Sequence, residues 1–146
     1  MITKETEDLD TYCIYANDFH LEMILLPYIK KNLQTKKIII LTENSLDESI
    51  KILLDRTNLS NDDKEKIYNL NWNNNVKDKI NYIKNYNNQV FTIIIKGSYD
   101  FINQISEEFK NIEGKQFSVV RCYIMEEVRE KNIRLDGLKL LKTERI

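Results

Sequence analysis

The chain contains a single histidine, His20, which follows Asp18 by two residues and forms with it the first pair that could perform chemistry. A carboxylate can orient an imidazole as a general base, so any histidine-dependent reaction must use this residue. The pair also has a structural interpretation, in which Asp18 caps a helix and His20 lies in its first turn. We favour the structural interpretation because helix caps are far more common than catalytic pairs.

A second candidate is Lys96-Gly97-Ser98, which lies between a predicted strand and a predicted helix. The first turn of such a helix can bind an anion, and Lys96 would add positive charge. The chain has neither a G-x-x-x-x-G-K-[ST] loop nor a G-x-G-x-x-G motif. An ordinary turn from strand to helix is therefore the favoured interpretation of these three residues.

Metal and thiol chemistry have weaker support. Glu43, Glu126 and Glu127 could together hold a hard cation, but no D-x-D pattern accompanies them. Cys13 and Cys122 lack the spacing of a metal site and fall within predicted strands, where a buried thiol behaves as a small apolar side chain. We therefore expect no bound metal, no disulfide and no cofactor.

Composition excludes several classes of protein. The 146 residues carry a formal net charge of −1, and adjacent basic residues occur only as Lys30-Lys31 and Lys36-Lys37, so we expect no nucleic-acid partner. The first ten residues are polar and acidic and do not resemble a signal peptide. Apolar runs such as Ile38 to Leu41 are far too short to span a bilayer, so we expect a cytoplasmic protein.

Short apolar and β-branched runs alternate with helical patterns along the chain. The predicted strands are Tyr12 to Ala16, Lys37 to Thr42, Val90 to Lys96 and Phe117 to Ile124, with Asn69 to Trp72 a possible further strand. The tail from residue 132 onwards could add one more short strand.

Helix starts follow from capping residues. Ser60 and Ser98 are predicted caps in addition to Asp18, and Ser45 to Glu48 matches a capping box that would start a helix near Leu46. Val76, Ile80 and Ile83 predict an amphipathic helix that ends around residues 86–88. Gly114 is a predicted cap at the end of the helix after Ser98.

This order of elements predicts βαβ units with right-handed crossovers. We expect one Rossmann-like α/β domain over residues 1–146, with three layers, a mostly parallel five-stranded sheet and helices on both faces. Residues 1–10 would form a flexible polar terminus. In such sheets, ligands bind beyond the carboxyl ends of the strands. The candidate ligand-binding residues at that edge are Asn17, Asp18, His20, Glu43, Lys96, Gly97, Ser98 and Tyr99.

Several segments resemble the MEDS family, a sensory domain named for regulators of methanogens and methylotrophs. The segments that carry the resemblance are Cys13-Ile14-Tyr15 before Asn17-Asp18, Leu26-Pro27-Tyr28-Ile29, Lys37 to Ile40, Glu43, Ile95 to Tyr99, and Arg121-Cys122-Tyr123. The resemblance implies a RecA-like or Rossmann-like fold without a working phosphate loop. It also implies a sensor of a small ligand or partner protein, not an NTPase.

Three functional hypotheses follow. The leading one is a non-catalytic sensory or regulatory module that binds a small molecule or a regulatory protein at the carboxyl edge of the sheet. The second is a hydrolase or transferase for a phosphate-bearing substrate, with His20 as general base and the Ser98 amide as anion contact. The third is an interaction protein that works as a homodimer, through a surface containing Ile67, Tyr68, Leu70 and Trp72.

Overall fold

The computed structural model describes residues 10–85, 90–110, 117–135 and 138–141, without the side chains of Asp18 and Glu22. Its five strands all run parallel, in the spatial order β2-β3-β4-β1-β5. The strands are β1 (Asp10–Tyr15), β2 (Lys37–Thr42), β3 (Phe91–Lys96), β4 (Phe117–Ile124) and β5 (Lys139–Leu140). The helices are α1 (Asp18–Asn32), α2 (Asp47–Asp55), α3 (Asn61–Tyr68), α4 (Val76–Asn85), α5 (Tyr99–Lys110) and α6 (Met125–Glu130).

The predicted three-layer α/β fold is confirmed. One face of the sheet packs against α1, α2 and α3 through a core that includes Leu25, Ile50 and Ile67. The other face packs against α4, α5 and α6 through Ile83, Ile102 and the partly buried Val128. Both faces of the sheet are therefore covered, which is why the runs of isoleucine in β2 and β3 are continuous and not alternating.

Most predicted strands agree with the structure. The predicted bounds of β2 and β4 match. β1 begins two residues earlier and ends one residue earlier than predicted, and β3 begins one residue later. The short strand expected in the tail is β5, which pairs with β1. Residues 1–9, expected to be a flexible terminus, lie outside the described residues, and β1 already begins at Asp10.

The possible strand over Asn69 to Trp72 does not form. Asn71 has a positive φ of 68°, which interrupts an extended backbone immediately before Trp72. The side-chain oxygens of Asn71 and Asn73 accept hydrogen bonds from the amides of Asn73 (3.4 Å) and Asn75 (2.9 Å). These local bonds replace the ladder bonds that a strand would need. We call residues 69–75 the α3–α4 loop.

The predicted caps at Ser60 and Ser45 have different outcomes. Ser60 caps α3 as expected, because its hydroxyl accepts the amide of Asp63 at 3.1 Å. The capping box at Ser45 does not form, because the hydroxyl bonds the nearby amide of Asp47 at 3.3 Å and α2 begins there without a side-chain cap. Residues 125–130, for which no helix was predicted, form α6. Gly114 and residues 86–88 lie outside the described residues.

The indole of Trp72 fixes the α3–α4 loop against the core. Its side chain is 2% exposed, and its Nε1 donates to the Ile67 carbonyl at 2.8 Å. Its own carbonyl accepts the amide of Leu46 at 2.9 Å, which joins the loop to the start of α2. Because Trp72 and Ile67 are both buried, they cannot contribute to the dimer surface considered from the sequence.

Within the described residues, no helix is long and apolar enough to cross a membrane.

Replacing Trp72 with phenylalanine should lower the free energy of unfolding by about 1–3 kcal/mol, because the indole bond is lost and a small cavity remains. Urea unfolding followed by far-ultraviolet circular dichroism measures the change. Tyr68→Phe is the matched control, since Tyr68 is exposed on the neighbouring helix and its variant should unfold within about 0.5 kcal/mol of the parent. Equal stabilities of the two variants would contradict the role given to the indole.

Candidate functional site

The topology of the sheet identifies one position at its carboxyl edge. The connection that follows β1 passes through α1 on the first face, whereas the connection that follows β4 passes through α6 on the second. Because β1 and β4 are neighbours, their outgoing chains leave the sheet on opposite faces, which is the arrangement in which an open α/β sheet forms a crevice. Open α/β sheets bind ligands at such a switch point.

Glu43 lies against the start of α5, beyond the carboxyl ends of β2 and β3. Its Oε1 accepts the backbone amide of Ser98 at 2.8 Å, and the Ser98 hydroxyl donates to Oε2 at 3.3 Å. The same hydroxyl accepts the amide of Phe101 at 3.2 Å, which confirms Ser98 as the cap of α5. The position that an anion would take at this helix end is thus filled by a carboxylate of the chain.

The close approach of Glu43 depends on the absence of a side chain at Gly97. A Cβ at this position would lie 2.5 Å from Cδ2 of Phe101 and 3.0 Å from both Cβ and Oε1 of Glu43. Such distances are too short for any side chain unless its neighbours move. Gly97 therefore allows β2, β3 and the start of α5 to converge.

Glu127 makes the equivalent contact on the next amide. Its Oε1 accepts the amide of Tyr99 at 3.0 Å, and its Oε2 pairs with Nζ of Lys131 at 3.2 Å. The hydrogen bond to Glu127 raises the pKa of Lys131. The centroid of the Tyr99 ring lies 6.4 Å from that of the Tyr123 ring, and burial raises the pKa of the Tyr123 hydroxyl. Within the described residues, no group of three or more acidic, histidine or cysteine side chains could hold a metal ion.

Asn17 and His20 form a separate pair at the start of α1. Asn17, and not Asp18 as predicted, is the helix cap, because its Oδ1 accepts the amide of His20 at 2.9 Å. The Nδ1 atom of His20 in turn accepts the amide of Ala16 at 3.1 Å. The side chain of Asp18 lies outside the described part of the chain.

This pairing decides what His20 can do. With Nδ1 accepting the Ala16 amide, the proton of the neutral ring is on Nε2. The Nδ1 lone pair is thus engaged by the backbone at the end of β1, which is a local capping arrangement.

Lys96 connects the two groups of residues. Its Nζ lies 5.5 Å from the centre of the Tyr15 ring, so that the end of β3 reaches across β4 to the end of β1. Of the eight candidates, the structure brings Glu43, Gly97, Ser98 and Tyr99 into one cluster. No hydrogen bond within the described residues joins His20 to that cluster.

The structure also contains a groove that the sequence analysis did not anticipate. It has a volume of about 380 Å³ and runs along the outer edge of β2. Its walls are the β2 backbone from Lys37 to Ile40, the α3–α4 loop, and the side chains of Asp78, Lys79 and Tyr82 on α4.

Lys79 closes one end of this groove. Its residue is 9% exposed, and Nζ donates to the carbonyls of Ile40, Asn71 and Asn73 at 2.8, 2.9 and 2.6 Å. Burial lowers the pKa of Lys79 from 10.5 to about 8, and the nearby charge of Asp47 opposes that shift. All three N–H bonds of the ammonium point at carbonyls, so Lys79 is a structural cation and not a nucleophile.

A signal for Lys79 is present in the sequence. Val76, Lys79, Ile80 and Ile83 follow the i, i+3, i+4, i+7 spacing of one helical face, which places a lysine on the apolar stripe of α4. A charged residue on such a stripe needs buried partners. The carbonyl-rich asparagine run that precedes α4 supplies two of them.

Comparisons of the chain with protein-family models, with curated proteins and with solved structures found no match.

Gly97→Ala should lower the free energy of unfolding by about 1–3 kcal/mol, because the new Cβ overlaps Phe101 and Glu43. Chemical denaturation measures the loss. In a double-mutant cycle with Phe101→Ala, the double variant should be more stable than the sum of the two single changes implies, because the Phe101 ring that the new Cβ would overlap is gone. Strictly additive effects would show that the overlap does not determine the cost.

The pKa of Lys79 predicts a pH dependence of stability. The folded chain releases this proton near pH 8, whereas the unfolded chain keeps it until about pH 10.5. Between these values the unfolded state binds more protons, so the stability of the parent relative to Lys79→Met should rise with pH, by at most about 1.4 kcal/mol per pH unit. Below pH 8 the difference should be constant.

Urea unfolding from pH 7 to pH 10 measures this difference. Lys77→Met is the matched control, because Lys77 is exposed on the same helix and its curve should run parallel to that of the parent. A Lys79→Met curve that also runs parallel would mean that burial does not shift the pKa of Lys79.

Proposed function

We propose that this chain is a non-catalytic sensory or regulatory module that binds a small polar molecule at the carboxyl edge of the sheet, in the crevice between β1 and β4. One observation carries the proposal: the two groups that the enzyme hypothesis needs, His20 as base and the Ser98 amide as anion contact, are both engaged within the chain, by the Ala16 amide and by the Glu43 carboxylate. The module would act in the cytoplasm, as the composition suggests.

The chemistry around the crevice favours a ligand with both polar and aromatic character. The ammonium of Lys96 lies beside the Tyr15 ring. Asn17 follows β1, which carries Tyr15, and Tyr99 follows β3, which carries Lys96. The carboxylates of Glu43 and Glu127 already accept hydrogen bonds from the amides of Ser98 and Tyr99. A phosphate group would therefore have to displace a carboxylate, which disfavours the hydrolase or transferase hypothesis. The resemblance to the MEDS family agrees with a sensory role.

Mass spectrometry of the purified chain tests the proposal directly. The native sample should show an added mass that disappears on denaturation, and that mass begins to identify the ligand.

The identified compound, or otherwise each member of a panel of metabolites, is then tested for its effect on the melting temperature. A ligand at about one hundred times its dissociation constant should stabilise the chain by about 2.7 kcal/mol, which corresponds to a rise of roughly 5–10 °C. Lys96→Met should reduce this rise, whereas Lys110→Met, at the far end of α5, should not. A panel that produces no rise, or a rise that Lys96→Met leaves intact, would contradict the proposed site.

A further inference from the structure

The asparagines of the α3–α4 loop bring amide side chains to the groove along β2. Asn71 and Asn73 line the groove, and their side-chain oxygens accept the backbone amides of Asn73 at 3.4 Å and of Asn75 at 2.9 Å. These bonds fix each oxygen, which leaves the Nδ2 group of each side chain to donate elsewhere. Within the part of the chain that the structure describes, neither Nδ2 group donates a hydrogen bond. The loop therefore supplies two donors for a ligand.

Asp78, in the first turn of α4, supplies the complementary acceptor. It is exposed and lines the same groove. Its Oδ2 accepts a hydrogen bond from Nδ2 of Asn75 at 2.8 Å, which orients the carboxylate. Among the described residues nothing donates to its Oδ1. Donors and an acceptor thus surround one cavity, an arrangement that matches hydroxyl groups, because a hydroxyl both donates and accepts.

The charges of the groove favour a neutral ligand. The three N–H bonds of Lys79 all go to backbone carbonyls, so its ammonium is already satisfied. The remaining charged groups of the lining are Lys37 and Asp78, one of each sign. An anion would be attracted by Lys37 and repelled by Asp78, and a cation the reverse, so the groove selects neither sign of charge.

We propose that this groove binds a small neutral polyol, a single sugar or cyclitol ring, whose hydroxyl groups bond Asp78 and the asparagine amides of the α3–α4 loop. The volume of about 380 Å³ lies at the small end of the range for ligand pockets, which suits one ring. Such a ring also carries C–H groups, and Leu70 and Tyr82 provide apolar surface for them. The Tyr82 ring is held edge-on against Phe91, with 6.2 Å between the ring centroids.

Nuclear magnetic resonance of the full isotope-labelled chain tests the proposal, with free monosaccharides, their methyl glycosides and myo-inositol as the probes. At least one probe should bind with a dissociation constant of about 1 mM or lower. It should shift the side-chain amide signals of Asn71 and Asn73, whereas the backbone signal of Lys96, at the crevice between β1 and β4, should stay in place. Either source of the sugar supports the proposal: binding of a methyl glycoside indicates the end of a glycan, and binding of the free sugar alone indicates a metabolite.

Variants of the protein locate the binding. Asn73→Asp removes the Nδ2 donor but keeps the oxygen that accepts the Asn75 amide, so the loop should keep its shape. It should weaken the binding at least about fivefold, because a hydrogen bond to the ligand is lost. Asn58→Asp makes the same chemical change at an exposed position between α2 and α3 and should leave the affinity unchanged. No shift with any probe, equal shifts with glycerol, or insensitivity to Asn73→Asp would each overturn the proposal.

Discussion

The parallel sheet of this protein needs a helical layer on each face, and the rest of the structure follows from that requirement. Five residues of β3, from Phe91 to Ile95 with Thr92 among them, have no exposed surface. A strand of this kind is stable only when apolar side chains of helices cover it from both sides. The helices of the first layer lie in the connections that follow β1 and β2, and those of the second layer lie in the connections that follow β2, β3 and β4, so the chains that leave the neighbouring strands β1 and β4 pass to opposite faces of the sheet.

The carboxyl edge is stabilised by the chain's own anions. Parallel strands direct the starts of their following helices to one edge, where amide groups accumulate without partners. Glu43 and Glu127 come from two different connections, and each accepts an amide at the start of α5. Gly97 makes this possible because a larger residue would keep Glu43 away. These contacts join three connections of the chain at the start of α5.

Periodicity and composition were enough to predict the layers, the mostly parallel sheet and the approximate positions of all five strands. They also predicted Ser60 and Ser98 as caps, since a serine before a helical pattern acts through contacts within a few residues. The cap of α1 was assigned to the wrong residue because two neighbouring side chains are equally suited to that role. Asn17 and Asp18 can both cap α1, and only the backbone geometry selects Asn17.

Long-range contacts explain the remaining differences. Asn69 to Trp72 has the apolar content of a strand, but Trp72 turns inward to bond Ile67 and Asn71 adopts a positive φ. The pairing of Glu43 with Ser98 joins residues 55 positions apart, and nothing local to either residue indicates it. The groove at β2 depends on strand order, which single-sequence patterns do not contain. Only the position of Lys79 on an apolar stripe was available from the sequence.

The α3–α4 loop forms a common wall between the two candidate sites. On the side of the groove, the carbonyls of Asn71 and Asn73 bind the ammonium of Lys79. On the side of the carboxyl edge, Nδ2 of Asn74 donates to the carbonyl of Glu43 at 3.4 Å, and Trp72 holds the start of α2. One short segment, fixed by local asparagine bonds and one buried indole, therefore holds the ammonium of Lys79 on one side and the connection that carries Glu43 on the other.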